Sequence, residues 1–314
     1  MKDSHMRITK LLILLATLFA PVESLAQSDT TVLFIGNSFT YGHGSPVRFY
    51  RSDTVTDLNN TGIGGVPALF KSFTTQIGSD YDVYVETQPG SGLEFHIQNR
   101  LGTIGRRAWD VVVMHGQSTL DFEDPGNPAK LVETSGRLAE FLHTTNPEVE
   151  VHLMATWSRA DQTYQPGGAW ADQPIDAMAK DVRAGYNQAA QASEVISSVV
   201  PVGEAWNHAM ESGVADPNPY DGTEFGKVSL WTYDYYHAST YGYYLEALVV
   251  FGRLTGRDPR SLGDHECSAF ELGLSRQEAS ALQQVAFDTL VSSDGLTPAP
   301  FALDNPADLT RCAN

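Results

Sequence analysis

The stretch Val32-Leu33-Phe34-Ile35-Gly36-Asn37-Ser38-Phe39-Thr40 decides how the rest of the chain is read. Its first four residues form a short, unbroken apolar run, the pattern of a strand buried on both faces. Gly36-Asn37 is turn chemistry that ends such a strand and leaves Ser38 at its carboxyl tip. In an open parallel sheet, ligands bind beyond the carboxyl ends of the strands, so a serine there is a candidate nucleophile.

Working outward, apolar runs rich in β-branched residues recur at Thr31 to Ile35, Tyr81 to Val85, Asp110 to Met114, Val149 to Ala155 and Val195 to Val202. Between them lie segments with apolar residues at three- and four-residue steps: Ala68 to Ile77, Leu93 to Leu101, Ala129 to His143 and Ile175 to Ala192. This alternation predicts an α/β fold with a central parallel sheet and crossover helices on both faces. Further on, Ser239 can cap a helix that ends near Gly256 before Pro259. Ser275 with Glu278 forms a capping box for another over Ser275 to Val291.

A serine hydroxyl needs a base, and the far end of the chain offers Asp234-Tyr235-Tyr236-His237. An acid and an imidazole three residues apart can share one turn, the acid orienting the ring and the ring accepting the serine proton. The candidate catalytic residues are therefore Ser38, His237 and Asp234.

The first residues read as a signal peptide. Lys2, Arg7 and Lys10 form a positive start, Leu11 to Ala20 an apolar middle, and Ser24-Leu25-Ala26 a small-x-small cleavage site. We expect cleavage after Ala26, an exported protein in the periplasm or outside the cell, and no membrane insertion of the mature chain. Residues 27–314 contain no linker or repeat and are expected to form a single domain with a C-terminal helical extension. The formal charge is -18, and residues 1–26 carry three positive and two negative side chains, which leaves -19 on the mature chain. Nucleic acid and anionic membrane surfaces, bound through clustered Lys and Arg, are poor partners for such a chain.

The sequence holds 2 cysteines, Cys267 and Cys312, away from the proposed chemistry. Export to an oxidising compartment predicts a disulfide between them, tying down the C-terminal tail. In the chain-entropy account a loop of this size contributes roughly 4 kcal/mol.

Phe34-Ile35-Gly36-Asn37-Ser38-Phe39-Thr40 and Tyr233-Asp234-Tyr235-Tyr236-His237-Ala238-Ser239 resemble motifs of the SGNH, or GDSL-like, hydrolase superfamily. Gly242-Tyr243-Tyr244-Leu245-Glu246-Ala247 and Leu254-Thr255-Gly256-Arg257-Asp258-Pro259 extend the resemblance beyond the histidine. It implies a flavodoxin-like three-layer α/β/α sandwich and an esterase mechanism in which Ser38 attacks, His237 takes its proton and Asp234 orients the ring. It implies no metal and no organic cofactor for catalysis.

The resemblance also implies an oxyanion hole. The Ser38 backbone N-H is one donor, and a glycine after the second family strand is another, here Gly92 or alternatively Gly90 in Gln88-Pro89-Gly90-Ser91-Gly92. The superfamily pattern Gly-x-Asn after the next strand is replaced by Gly116-Gln117-Ser118. The Gln117 amide is the expected third donor and the Ser118 hydroxyl the alternative.

His115 reads as a structural histidine at a strand end, and His43, His96 and His208 have no paired metal spacing. Residues 216–224 only faintly resemble a calcium loop and read as a solvated acidic loop. Trp157, Arg159, Tyr164 and Trp170 are candidates to contact a sugar ring or acyl chain. The expected function is an exported serine esterase acting on O-acyl esters, with short acyl groups on carbohydrate as the substrate class. A non-catalytic glycan-binding protein on the same fold and an acyltransferase are the competing readings.

Overall fold

The computed structural model describes residues 30–79, 81–303 and 312; the proposed signal peptide lies outside them. Six strands, β1 (Thr30–Gly36), β2 (Thr56–Asp57), β3 (Tyr81–Thr87), β4 (Val111–Met114), β5 (Glu150–Ala155) and β6 (Ile196–Pro201), form one sheet in the order β2-β3-β1-β4-β5-β6. Every pairing is parallel. All five strands expected from the apolar runs are present. The sixth, β2, is a two-residue edge whose polar residues carry no apolar signal.

With that edge set aside, the chain order across the sheet is second, first, third, fourth, fifth, the flavodoxin-like arrangement. The chain leaves β1 towards β3 on one side and then returns to β4 on the other. The crevice at this reversal lies beyond the ends of β1 and β4, at Gly36 to Ser38 and His115 to Ser118.

The helices are α1 (Ser38–Tyr41), α2 (Gly65–Gln76), α3 (Leu93–Asn99), α4 (Leu101–Ile104), α5 (Ala129–Thr145), α6 (Ala160–Thr163), α7 (Ala177–Gln191), α8 (Val202–Glu211), α9 (Thr240–Thr255), α10 (Cys267–Glu271) and α11 (Arg276–Asp294). The pleat of β1 sorts them into layers. Val32 and Phe34 face a core built with α2, α8, α9 and α11, while Leu33 and Ile35 face a second core built with α3, α4, α5 and α7. The result is a three-layer α/β/α sandwich around an all-parallel sheet.

Local signals set the helix ends. The Ser239 side chain accepts from the Gly242 N-H to start α9, and Gly256 ends it at φ 64°. Ser275 and Glu278 form the reciprocal capping box of α11. The Cys267–Cys312 disulfide is formed and joins α10 to the end of the chain. Among the described residues, no helix is long and apolar enough to cross a membrane.

Candidate active site

Ser38 begins α1, directly after the strand, and Asn37 caps that helix by accepting from the Phe39 N-H at 3.1 Å. The Asn37 amide nitrogen donates to the Ser91 carbonyl at 2.8 Å and to the Gly116 carbonyl at 3.2 Å. One buried side chain thereby fastens together the loops that follow β1, β3 and β4. Beneath it, the Thr40 hydroxyl and His115 Nε2 bond at 2.8 Å across Gly36, where a Cβ would come within 2.4 Å of both atoms. Only glycine fits there. His115 also contacts the Gly116 carbonyl through Nδ1, and burial pushes its pKa down to about 4. It is a neutral structural histidine, with Nδ1 donating and Nε2 accepting.

The acid and the imidazole sit on a tight hairpin closed by the Trp231 and Ala238 bridge and by Thr232 N-H donating to the His237 carbonyl at 2.9 Å. At its tip Tyr235 adopts φ 58°, a left-handed conformation that a bulky residue rarely takes and that is often associated with functional sites. Asp234 Oδ1 accepts from the Tyr236 and His237 N-H groups at 3.0 and 2.9 Å, and Oδ2 lies 2.6 Å from His237 Nδ1. Burial opposes ionisation of Asp234, but these hydrogen bonds outweigh it and hold the carboxyl below its usual range.

For His237, burial is the largest influence and lowers the pKa; Asp234 pulls it up, while His43 and Arg159 add to the lowering. The net shift is downward. Each partner's shift therefore favours an ionised Asp234 beside a neutral His237 at neutral pH.

The fold carries this hairpin to the turn that bears Ser38. The ring of Phe39, next to Ser38, lies 5.6 Å from that of His237. Tyr243 in α9 donates towards the carbonyls of Ser38 and His43, at 3.2 Å each. His237 Nε2 is buried and has no hydrogen-bond partner among the described residues. The bond from Ser38 Oγ to it is therefore not formed in this state, as is common in sites without substrate.

Of the expected oxyanion donors, Gly92 precedes α3 in the loop held by Asn37, and the Glu94 carboxylate folds back over it. Gly90 is a turn residue at φ 67°. The Gln117 amide, the donor favoured from sequence, is tied to the Gly90 carbonyl at 2.7 Å. Ser118 is buried, and its Oγ accepts from Arg159 Nη1 at 3.3 Å, which leaves its own proton available.

Arg159, named from the sequence as a candidate to contact a sugar ring or acyl chain, lies against the Asp234 to His237 hairpin. Its guanidinium sits 3.5 Å from the centre of the Tyr236 ring, which is 4.0 Å from that of His237, and pairs with both oxygens of Asp161 at 3.0 and 2.6 Å. Trp157, by contrast, is fully buried, stacked between Phe39 and Trp206 at 4.2 and 4.5 Å, and Trp170 is buried as well. Neither can meet a substrate. Tyr164 remains exposed, as do Phe122 and Tyr233.

His96 bonds the Gly36 carbonyl and His208 lies against Thr289. Asp216 spends its two carboxylate oxygens on the amides of Asn218 and Glu224, as a staple within its own loop. His43 was set aside in the sequence for want of a partner, yet its ring lies 4.3 Å from that of His237. The signal was local: flanked by Gly42 and Gly44 and five residues beyond Ser38, it could not travel far from that serine.

No protein-family model matches the chain, and no curated protein matches it. Solved structures do. A DUF4886 family protein from Bacteroides uniformis superposes with a TM-score of 0.56 at 17% identity, covering 86% of this chain and 97% of that one. A Parabacteroides merdae protein described as a GDSL-like lipase gives a TM-score of 0.50 at 16% identity, covering 73% and 96%. A Slackia heliotrinireducens protein described as an SGNH hydrolase gives 0.45 at 20% identity, covering 72% and 99%. The fold is that of the SGNH, or GDSL-like, hydrolases.

Proposed function

We propose that this chain of SGNH hydrolase fold is an exported serine esterase that hydrolyses O-acyl esters. The observation that carries the proposal is the Asp234 to His237 bond of 2.6 Å, coupled to a buried Nε2 without a partner beside the turn that bears Ser38. A carboxylate on Nδ1 fixes the proton there and leaves the Nε2 lone pair to accept another.

In the reaction Ser38 Oγ forms a bond to the ester carbonyl carbon as its proton passes to His237 Nε2. The carbonyl π pair moves onto oxygen, where the N-H groups of Ser38 and Gly92 and the Ser118 hydroxyl donate to it. Ser118 replaces the expected Gln117 because Gln117 is engaged with Gly90 and Ser118 is polarised by Arg159. Collapse expels the alcohol, protonated by His237, and water repeats the sequence on the acyl-enzyme to release the acid and restore Ser38.

Short acyl groups on carbohydrate are the proposed substrate class. The exposed Tyr233 and Tyr164 rings support it, since aromatic faces with polar handles suit a sugar better than a long apolar chain. The charged start and cleavage site of residues 1–26 and the disulfide support export. The test is hydrolysis of p-nitrophenyl acetate and of acetylated oligosaccharides by the purified protein beside Ser38→Ala. A loss of a thousandfold or more, by order of magnitude, is expected in the variant. Equal rates would sink the proposal.

A further inference from the structure

His43 has no role in the reaction as drawn. Yet His43, Asp234 and His237 are the one group among the described residues whose ligand atoms gather closely enough to hold a metal ion, all within 4.8 Å of one another. His237 is 6% exposed and its Nε2 lacks a partner. The buried nitrogen supplies what a mere cluster of polar groups lacks, a ring nitrogen with no hydrogen-bond partner among the described residues beside the His43 ring.

We infer that His43 and His237 form an inhibitory site for a borderline-soft divalent cation such as Zn2+, with Asp234 holding His237 from behind. The chemistry follows from bonds already present. Zinc-bound histidines almost always donate their other ring N-H to a carboxylate or carbonyl, which fixes the tautomer and raises ligand basicity. Asp234 already does this to Nδ1 of His237. The lone pair left on Nε2 is thus as ready for a metal as for a serine proton. His43 supplies a second imidazole, and water completes a tetrahedral set.

Zinc-nitrogen bonds are about 2.0–2.1 Å, so ligand atoms spread over as much as 4.8 Å must draw closer to share an ion. His43 is the member that moves. It is only partly buried and held by one long contact, 3.4 Å from Nδ1 to the Tyr41 hydroxyl. The loop backbone beneath it is fixed by Tyr243 and by Thr232 donating to the Gly44 carbonyl at 3.1 Å, so the adjustment is confined to the side chain. Mg2+, which prefers oxygen ligands and sheds water reluctantly, is excluded.

Binding stands on this geometry alone, whereas inhibition rests on His237 being the base, because the metal takes the lone pair that would receive the Ser38 proton. Calorimetric titration of tag-free protein with ZnCl2 tests the first claim. One site of micromolar affinity is expected, weakened at least tenfold in His43→Asn and in His237→Asn, with no matching heat from MgCl2. Zinc affinity unchanged in both variants would overturn the site, with circular dichroism melts establishing that they are folded.

Hydrolysis of p-nitrophenyl acetate tests the second claim. Zinc is expected to inhibit the wild type and EDTA to restore it, while His43→Asn hydrolyses the ester in the presence of zinc. Equal inhibition of both proteins overturns the inhibitory role. A protein without esterase activity would refute the proposed function, and the calorimetry would still decide the site.

Discussion

Oδ2 of Asp234 lies 2.6 Å from Nδ1 of His237, and the same carboxylate accepts the N-H groups of Tyr236 and His237 through its other oxygen. One side chain both shapes the turn and selects the tautomer of His237. Asp234→Asn keeps its oxygen on the two backbone amides only by directing its NH2 group at the ring. With NH2 facing Nδ1, the proton moves to Nε2, the wrong place for a base. We expect kcat to fall by about a thousandfold to ten-thousandfold with little change in the melting temperature, read from steady-state kinetics and thermal melts.

The pH profile carries a sign. A base must be deprotonated to act, and burial lowers the pKa of His237 more than Asp234 raises it. The rising limb of kcat/KM is therefore expected below about 6.5, the value of an unperturbed histidine. A limb centred above about 7 would contradict this environment for the base.

The third oxyanion donor separates two adjacent residues. Ser118→Ala is expected to cost about a hundredfold or more in kcat, the scale of losing one such donor. Gln117→Ala removes a tie to Gly90 and is expected to act mainly on stability, by about 1 kcal/mol. The reverse ranking in kcat would return the role to Gln117.

Glu246 in α9 is fully buried, and neither of its carboxyl oxygens has a hydrogen-bond partner among the described residues. Desolvation raises its pKa well above the usual carboxylate value. A carboxyl raised by folding binds its proton more tightly in the native state, so stability is full below the unfolded pKa of about 4.3 and falls as pH rises towards the folded value. Glu246→Gln is expected to remove this dependence, so that its stability relative to the wild type rises from pH 5 to pH 8. Denaturant unfolding at pH 5 and pH 8 reads the difference; parallel behaviour of the two proteins would refute it.

Much of the architecture was legible because the strands are apolar on both faces and stand apart from their amphipathic neighbours. Where two elements abut, the signal failed. β6 passes into α8 at Pro201 and Val202 without a polar turn, so the apolar run concealed a change of period. In the candidate site, Ser38, Asp234 and His237 were legible as local patterns. The choice between Gln117 and Ser118 was not, because strand alternation no longer dictates direction beyond Gly116. Arg159 was legible as a candidate substrate contact, but its position over Tyr236 was not, since it depends on two loops distant in sequence meeting at one end of the sheet.

The three bonds of Asn37 have a consequence for how such a protein can change. They knit the central strand ends into a unit without drawing on the outlying loop 216–226. That loop can lengthen, shorten or exchange its aromatic residues while Ser38 keeps its register, so a change in what the site prefers can be acquired at the periphery without rebuilding its centre. Replacing Asn37 itself would loosen all three strand ends at once, and adaptation should leave that amide alone.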